Sequence, residues 1–402
     1  MSDYLRVPYG CSVHGDEEIQ AVVDVLKTST QMSVKVSEFE EKISKLFAHK
    51  YGIMTNSGSS ALYLLIESLR LPEGSEVITP ALTFSTTVGC LVKNNLKPHF
   101  VDVGFDTFCA DYEQIKSAIN PNTSAILAPD LMGNVCEWDK IHELAKERNI
   151  KVIIDSADTL GATLDGVSTG EYADAAITSF YGSHVINGAG NGGMLITSDD
   201  VVMEKSKLLR SWGRSSSLFS DNEAIENRFN VNLNGFKYDA KFVFEQIGYQ
   251  LEPSEMSAAF ALVQLKKLEQ NTACRIDNFN ANSNFFSNDR YKDFFILPNQ
   301  NPRSYSGWLA YPMIVREDAP FTRTDMQIFL EERNIQTRVI FTGNILRQPG
   351  FKDIDCIGSP DNFKNADNAM RGGILLALHH GLTQEMQEHL FDSSAQFLDA
   401  YC

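Results

Sequence analysis

The chain has 402 residues, 43% of them hydrophobic, enough to bury a large core and too many for one small domain. Its 52 acidic residues outnumber 35 basic ones, and the resulting formal charge of -17 repels nucleic acid and anionic membrane surfaces. Met1 to Gln20 lacks a basic flank leading into an apolar stretch, and no later apolar run is long enough to cross a bilayer, so a cytoplasmic protein is expected.

In chain order, Ile19, Val22, Val23 and Leu26 fall at helical spacing after an acidic first turn and predict a helix over Asp16 to Lys27. Val36, Phe39, Ile43, Leu46 and Phe47 predict a second. Short apolar runs then alternate with helical stretches: Gly52 to Thr55 before a helix from Ser59, Glu76 to Thr79 before a helix through Cys90, Lys97 to Val103, Ala125 to Ala128, a helix around Glu137 to Arg148, and Lys151 to Asp155. This alternation predicts an α/β fold with a mostly parallel central sheet. Ala175 to Phe180 and Met194 to Thr197 read as two further strands, and their close spacing around the glycine-rich loop Gly188 to Gly193 predicts one antiparallel member. Between Trp212 and Tyr238 the sequence is polar and irregular and reads as a long loop rather than a linker, and loops of that length are often functional. A helix from about Ser254 to Asn271 then leads into a smaller C-terminal α/β unit. That unit should hold a strand at Trp308 to Val315, a helix at Thr324 to Arg333, a strand at Thr337 to Ile340 and a closing helix from about Gln384. The expected division is a large domain over 1–253 and a connecting helix with a small domain over 254–402.

Three constellations can carry chemistry. Asn56-Ser57-Gly58-Ser59-Ser60-Ala61 follows a strand and opens a helix, an arrangement that turns amides and hydroxyls toward a phosphate or simply caps the helix. Val152-Ile153-Ile154-Asp155 ends an apolar strand with a carboxylate, where open α/β sheets bind ligands and where turn formers are equally common. Thr178-Ser179-Phe180-Tyr181-Gly182-Ser183-His184, followed by Gly188-Ala189-Gly190-Asn191-Gly192-Gly193, sets a histidine among hydroxyls beside a glycine-rich loop. A lone histidine near a strand end is commonly structural. The conjunction changes the weighing.

Taken together, the order of these pieces resembles the B6-dependent sugar aminotransferase and dehydratase family of the DegT/DnrJ/EryC/StrS type. The matching motifs are Asn56 through Leu62, Thr79-Pro80-Ala81-Leu82-Thr83-Phe84, Asp155-Ser156-Ala157-Asp158, Ser179-Phe180 with His184 and Gly192-Gly193, Ile247-Gly248-Tyr249, and Thr337-Arg338 with Phe341 through Asn344 and Arg347-Gln348-Pro349. The resemblance runs from about residue 16 to the C-terminus. It implies an aspartate-aminotransferase-like architecture (PLP fold type I) and pyridoxal or pyridoxamine 5'-phosphate as cofactor. Carried onto this chain, it implies that Gly58, Ser59 and Ser179 hold the cofactor phosphate, that Phe84 stacks on the pyridine ring and that Asp155 pairs with the ring nitrogen. A carboxylate there keeps the nitrogen protonated, so the ring can accept electron density. Asp158 and Ser183 belong to the same cofactor-site motifs, and Gln250 follows Ile247-Gly248-Tyr249 where the family places an amide from the neighbouring subunit near the phosphate. Arg338 is a candidate for bidentate binding of a substrate carboxylate or phosphate, or else a surface ion pair.

Most of the family anchors the aldehyde cofactor on a lysine in a Ser-Phe-x-x-x-Lys motif, whereas position 184 here is histidine. Histidine at this place resembles the sugar 3-dehydratase subset, as does Tyr238-Asp239-Ala240-Lys241. The resemblance therefore implies a nucleotide-linked 4-keto-6-deoxyhexose as substrate, L-glutamate as amino donor and a homodimer with shared active sites. Imidazole, with an unperturbed pKa of about 6.5, can take a proton from the C4′ carbon of the cofactor and return it to the hydroxyl leaving C3. One dehydratase type adds an iron-sulfur cluster, held by cysteines in the polar loop, and accepts electrons from a reductase. Here Cys11, Cys90, Cys109, Cys136, Cys274, Cys356 and Cys402 are scattered, and none lies between Arg210 and Tyr238. The expectation is reduced thiols, no metal and the cluster-free chemistry that yields a 3-deoxy-4-keto sugar. A binding or regulatory protein on an inactive scaffold is the reading from another class; retention of Gly58, Ser59, Phe84, Asp155 and Ser179 speaks against it.

Overall fold

A computed structural model describes residues 4–219 and 224–402; residues 1–3 of the opening stretch and 220–223 of the polar loop lie outside the described residues. Two amphipathic helices come first, α1 (Asp16–Leu26) and α2 (Val34–Leu46), the second burying Val36, Phe39 and Ile43. The alternation then runs β1 (Tyr51–Thr55), α3 (Gly58–Leu69), β2 (Glu76–Pro80), α4 (Ser85–Lys93), β3 (Lys97–Val101), α5 (Tyr112–Ala118), β4 (Thr123–Pro129), α6 (Trp138–Arg148) and β5 (Lys151–Asp155). A small hairpin, β6 (Thr163–Leu164) and β7 (Val167–Ser168), precedes β8 (Ala175–Ser179), β9 (Gly193–Thr197) and α7 (Asp200–Arg210).

Seven strands form one sheet in the order β1-β9-β8-β5-β4-β2-β3. All neighbours pair in parallel except β9, which runs antiparallel to both β1 and β8, as the paired strands around the glycine-rich loop predict. Helices cover both faces, so β2, β8 and β9 are buried along their whole length rather than alternating. Successive residues of β5 serve opposite cores: Val152 and Ile154 pack in the cluster of Phe39 and Trp138, Ile153 in that of Leu62 and Leu91.

The sequence reading passes over α5 and α7. Helix α7 is capped by the Asp199 carboxylate, which accepts from the Val201 and Val202 amides at 2.8 and 3.1 Å, but its apolar buried side chains are only Val202, Leu208 and Leu209, scattered among charges. The stretch read as an irregular loop contains the short helix α8 (Ile225–Arg228) and a hairpin of β10 (Val231–Leu233) and β11 (Phe236–Tyr238). It turns at Asn234-Gly235, both with positive φ, and Asn-Gly is the strongest two-residue hairpin signal. The helix predicted over Ser254 to Asn271 is two helices, α9 (Glu255–Leu265) and α10 (Leu268–Phe286). They part at Lys266–Lys267, where the Lys267 ammonium turns to the buried Glu18 carboxylate at 2.6 Å.

The C-terminal elements are β12 (Phe295–Ile296), β13 (Ser304–Tyr305), β14 (Tyr311–Val315), α11 (Arg323–Glu332), α12 (Lys364–Gly372), β15 (Gly373–Leu376) and α13 (Gln384–Leu398). Strands β12, β14 and β15 form an antiparallel sheet over a core that includes Phe286, Trp308, Tyr311 and Leu376. The strand expected at Thr337 to Ile340 makes only one bridge, Arg338 to Leu375. Positive φ at Phe341 and Gly343 then turns the chain away, and the apolar Gly373–Leu376 takes the third place in the sheet. No helix of the described residues is long and apolar enough to cross a membrane.

Candidate active site

The carboxyl ends of β5 and β8 and the start of α3 converge on a cavity of about 550 Å³. This is where ligands bind in open α/β sheets. Its lining brings together Gly58, Ser59, Phe84, Asp155, Asp158, Ser179, Ser183 and His184.

One end suits an anion. Ser57 caps α3, its hydroxyl oxygen accepting from the Ser60 amide at 3.1 Å, and Gly58 and Ser59 open the helix with first-turn amides that lack intrahelical partners. A Cβ on Gly58 would stand 2.8 Å from Ser179 Cβ, so only glycine lets the helix start approach that serine. Ser59 donates to the Thr86 hydroxyl at 3.2 Å, and the Ser179 hydroxyl accepts from the Tyr181 amide at 3.3 Å.

The middle suits a planar cation. Phe84 stays 49% exposed although it is large and apolar, with Phe341 edge-on at 6.0 Å, so an aromatic face is open to the cavity. The Asp155 carboxylate accepts from the Thr87 hydroxyl at 2.8 Å and the Ala157 amide at 3.2 Å. Burial nevertheless pushes its carboxyl up to about 6, with Thr87 holding it down and the neighbouring Asp158 raising it further. A carboxylate held this dry is stabilised by a cation placed against it.

His184 lines the same cavity. Its Nδ1 lies 3.1 Å from the Ser179 carbonyl oxygen, and because a carbonyl only accepts, Nδ1 carries the proton and Nε2 keeps its lone pair. Burial lowers the imidazole to about 4, partly offset by the Ser179 hydrogen bond, so the ring is neutral at pH 7 and a weaker base than its ordinary value implies. Asp158 stands across from it, Oδ1 3.7 Å from Nε2, while its other oxygen accepts from the Met132 amide at 2.9 Å. Burial pushes Asp158 up to about 6 against the pull of that amide and of Arg275.

Two sequence candidates are not in the lining. Gln250 is exposed on a bridge to Ser211, and Arg338 is exposed with its guanidinium donating to the Thr337 carbonyl at 2.7 Å. Arg338 stands 5.5 Å from the ring centroid of Tyr9, which does line the cavity. Sequence reasoning missed Tyr9, Thr86, Thr87 and the buried Arg275. Tyr9 precedes any periodic element and Arg275 sits in an asparagine-rich helix that reads as polar, so neither left a local signal. Thr86 and Thr87 immediately follow the motif ending at Phe84 and were within reach of it.

Residues 13–394 match the DegT/DnrJ/EryC1/StrS aminotransferase family. The chain belongs to that family. Among its DegT/DnrJ/EryC1/StrS relatives, dTDP-4-dehydro-2,6-dideoxy-D-glucose 3-dehydratase of Saccharopolyspora spinosa is 32% identical, over 97% of this chain and 86% of the relative. The solved structure of Escherichia coli GDP-4-keto-6-deoxy-D-mannose-3-dehydratase with bound hydrated PLP is similar at a TM-score of 0.86 and 27% identity, covering 97% of this chain and 99% of that one. GDP-4-keto-6-deoxymannose-3-dehydratase with a trapped PLP-glutamate geminal diamine gives a TM-score of 0.84 at 27% identity, over 99% of this chain and 100% of that one. The fold is thus the aspartate-aminotransferase-like PLP fold type I, with its mostly parallel sheet and smaller C-terminal sheet.

Proposed function

We propose that this protein is a B6-dependent nucleotide-sugar 3-dehydratase that removes the C3 hydroxyl of a nucleotide-linked 4-keto-6-deoxyhexose, with His184 moving the protons. One observation carries the reading: a neutral imidazole with a free Nε2 occupies the position of the family's anchoring lysine. The activities of the relatives, and the PLP and glutamate in the solved structures, support it.

The residues present fit the cofactor. Gly58, Ser59 and Ser179 would hold its phosphate, Phe84 would cover the ring, and Asp155, dry and short of positive charge, would meet the ring nitrogen. When bound, pyridoxamine phosphate would supply an amine for the C4 ketone and a conjugated ring that takes up electron density as the hydroxyl departs. Gln250 of a second copy would complete the phosphate end, which makes the active unit a homodimer.

His184 works in two strokes. Its Nδ1–H stays on the Ser179 carbonyl and fixes the ring, so Nε2 alone faces the reacting atoms. With the cofactor bound, Nε2 would accept a proton from the C4′ carbon, and the imidazolium would then deliver a proton to the leaving hydroxyl. Asp158, 3.7 Å from Nε2, stabilises the charge that appears on the ring between strokes. Burial keeps the resting ring unprotonated and ready. Ser183 flanks the histidine in the cavity wall, and Arg338, beside Tyr9, offers a bidentate contact to a substrate phosphate or to the glutamate carboxylate. The absence of cysteine between Arg210 and Tyr238 favours the cluster-free course, with hydrolysis to a 3-deoxy-4-keto sugar and glutamate restoring the amine form of the cofactor.

A panel of GDP-, CDP-, UDP- and dTDP-linked 4-keto-6-deoxyhexoses, incubated with protein, pyridoxamine phosphate and glutamate, tests the reading. One of them should yield a 3-deoxy-4-keto sugar by mass spectrometry. A 4-amino sugar that keeps its C3 hydroxyl, or failure to bind any B6 compound, would overturn it. Iron and acid-labile sulfide in the active protein would turn it toward the reductase-dependent type.

A further inference from the structure

Helix α10 carries two polar side chains one turn apart, Asn271 and Arg275, that grip the backbone on either side of His184. Asn271 Nδ2 donates to the Val185 carbonyl at 2.9 Å. Arg275 donates through its guanidinium to the Ser183 carbonyl at 2.8 Å, to the Trp308 and Leu309 carbonyls at 3.0 and 3.3 Å, and to His380 Nδ1 at 3.3 Å. The four-residue spacing sets both side chains on one helix face. From elsewhere in the chain Gly10 packs so tightly that a Cβ there would stand 2.7 Å from Ser183 Cβ. The turn bearing His184 is therefore held at residue 183 by helix and N-terminal segment together, and again at residue 185.

The fold alone does not call for a charge at this place. Arg275 is fully buried, and its hydrogen-bond partners among the described residues are three carbonyls and an imidazole, with no carboxylate. Burying a charge without a hydrogen-bonded counterion is costly, and Asp158 attracts this one with no hydrogen bond between them. Burial draws the guanidinium down to about 10, which still leaves it charged at neutral pH.

We propose that Asn271 and Arg275 are positioning residues that hold the His184 imidazole in line for proton transfer, a role that rests on the dehydratase reading above. Asn271 acts by geometry alone. Arg275 adds a fixed positive charge to the ionisable groups around His184, which are Asp158, Asp155, Tyr9 and Tyr181 in the cavity and His379 and His380 behind the guanidinium. That charge opposes a second positive charge on His184 and favours the Asp158 carboxylate facing it.

The test uses the full-length protein and the variants Arg275→Met, Arg275→Lys and Asn271→Leu. Two quantities are read: the pH titration of the His184 ring signal in 13C-histidine-labelled, cofactor-free protein, assigned by its loss in His184→Asn, and kcat with KM of the cofactor-loaded protein. In Arg275→Met, kcat should fall roughly tenfold to a hundredfold with KM changed less than about threefold. Its His184 should titrate at higher pH, moving the acid limb of the kcat profile upward. Arg275→Lys should recover part of the rate and keep the original titration. Asn271→Leu should lower kcat without moving the titration. Unchanged kcat and titration in Arg275→Met overturn the proposal. If that variant does not fold, Arg275→Lys decides, since full wild-type kcat without the forked guanidinium would equally overturn it. A wild-type protein that dehydrates none of the sugars, yet whose His184 titration responds to Arg275, would sink the function and leave the coupling standing.

Discussion

Asp155 burdens the cofactor-free protein. Its carboxyl is 5% exposed, and burial raises it from 3.8 to about 6. The folded state therefore binds that proton more tightly than the unfolded chain, and the stability this confers at low pH is lost as pH rises through about 6. A shift of that size corresponds to about 3 kcal/mol at neutral pH. Asp155→Asn should accordingly stabilise the cofactor-free protein by about 2–3 kcal/mol at pH 7.5 and by little at pH 4, measured by thermal unfolding. It should also abolish turnover, because a neutral amide cannot hold the ring nitrogen protonated. A lower melting temperature at both pH values would contradict this account of the carboxylate. His184 has the opposite sign: lowered to about 4, it favours the fold above pH 6.5, and that contribution disappears as pH falls through about 4. Both residues were singled out in the sequence by the conjunction of ordered motifs around them rather than by either position alone. Tyr9 and Arg275 were not, because tertiary packing alone brings an N-terminal segment to the cavity and a mid-helix arginine to the backbone of Ser183 beside it.

At the scale of elements, the start of α3 forms the end of the cavity proposed to hold the cofactor phosphate. Gly58→Ala would bring a Cβ within 2.8 Å of Ser179 Cβ and force the helix start or β8 to yield. Pyridoxamine phosphate affinity, followed by absorbance titration, should fall at least roughly tenfold, the loss of about one hydrogen bond to a charged phosphate. Wild-type affinity in this variant would remove the phosphate from that helix. The strands of the large sheet and the helices α3, α4 and α6 were readable because each is a short apolar run or a clear 3.6-residue stripe, which α5 and α7 lack. Thr337 to Ile340 misled for a physical reason: its composition suits a strand, but the positive φ at Phe341 bends the chain away to set that ring in the cavity wall. The Asn234-Gly235 hairpin was hidden by its polar, asparagine-rich surroundings.

At the scale of the whole molecule, large apolar side chains are exposed along the stretch that leads to Gln250. Ile225, Phe236, Phe242, Phe244 and Tyr249 are all exposed, and Ile247 is 98% so. Apolar surface gathered this way calls for a covering partner. With a second copy as that partner, sedimentation should show a dimer, and Ile247→Asp should yield monomers without activity. Active monomers would contradict the shared site. The proposed dehydration depends on an imidazole standing in for the family's lysine. The measurement that tests it most directly is the dehydration rate of His184→Asn loaded with pyridoxamine phosphate and supplied with its keto sugar. The variant should keep its cofactor and turn over roughly a hundredfold to ten-thousandfold more slowly than the wild type. A rate near that of the wild type would assign the proton transfer to another group.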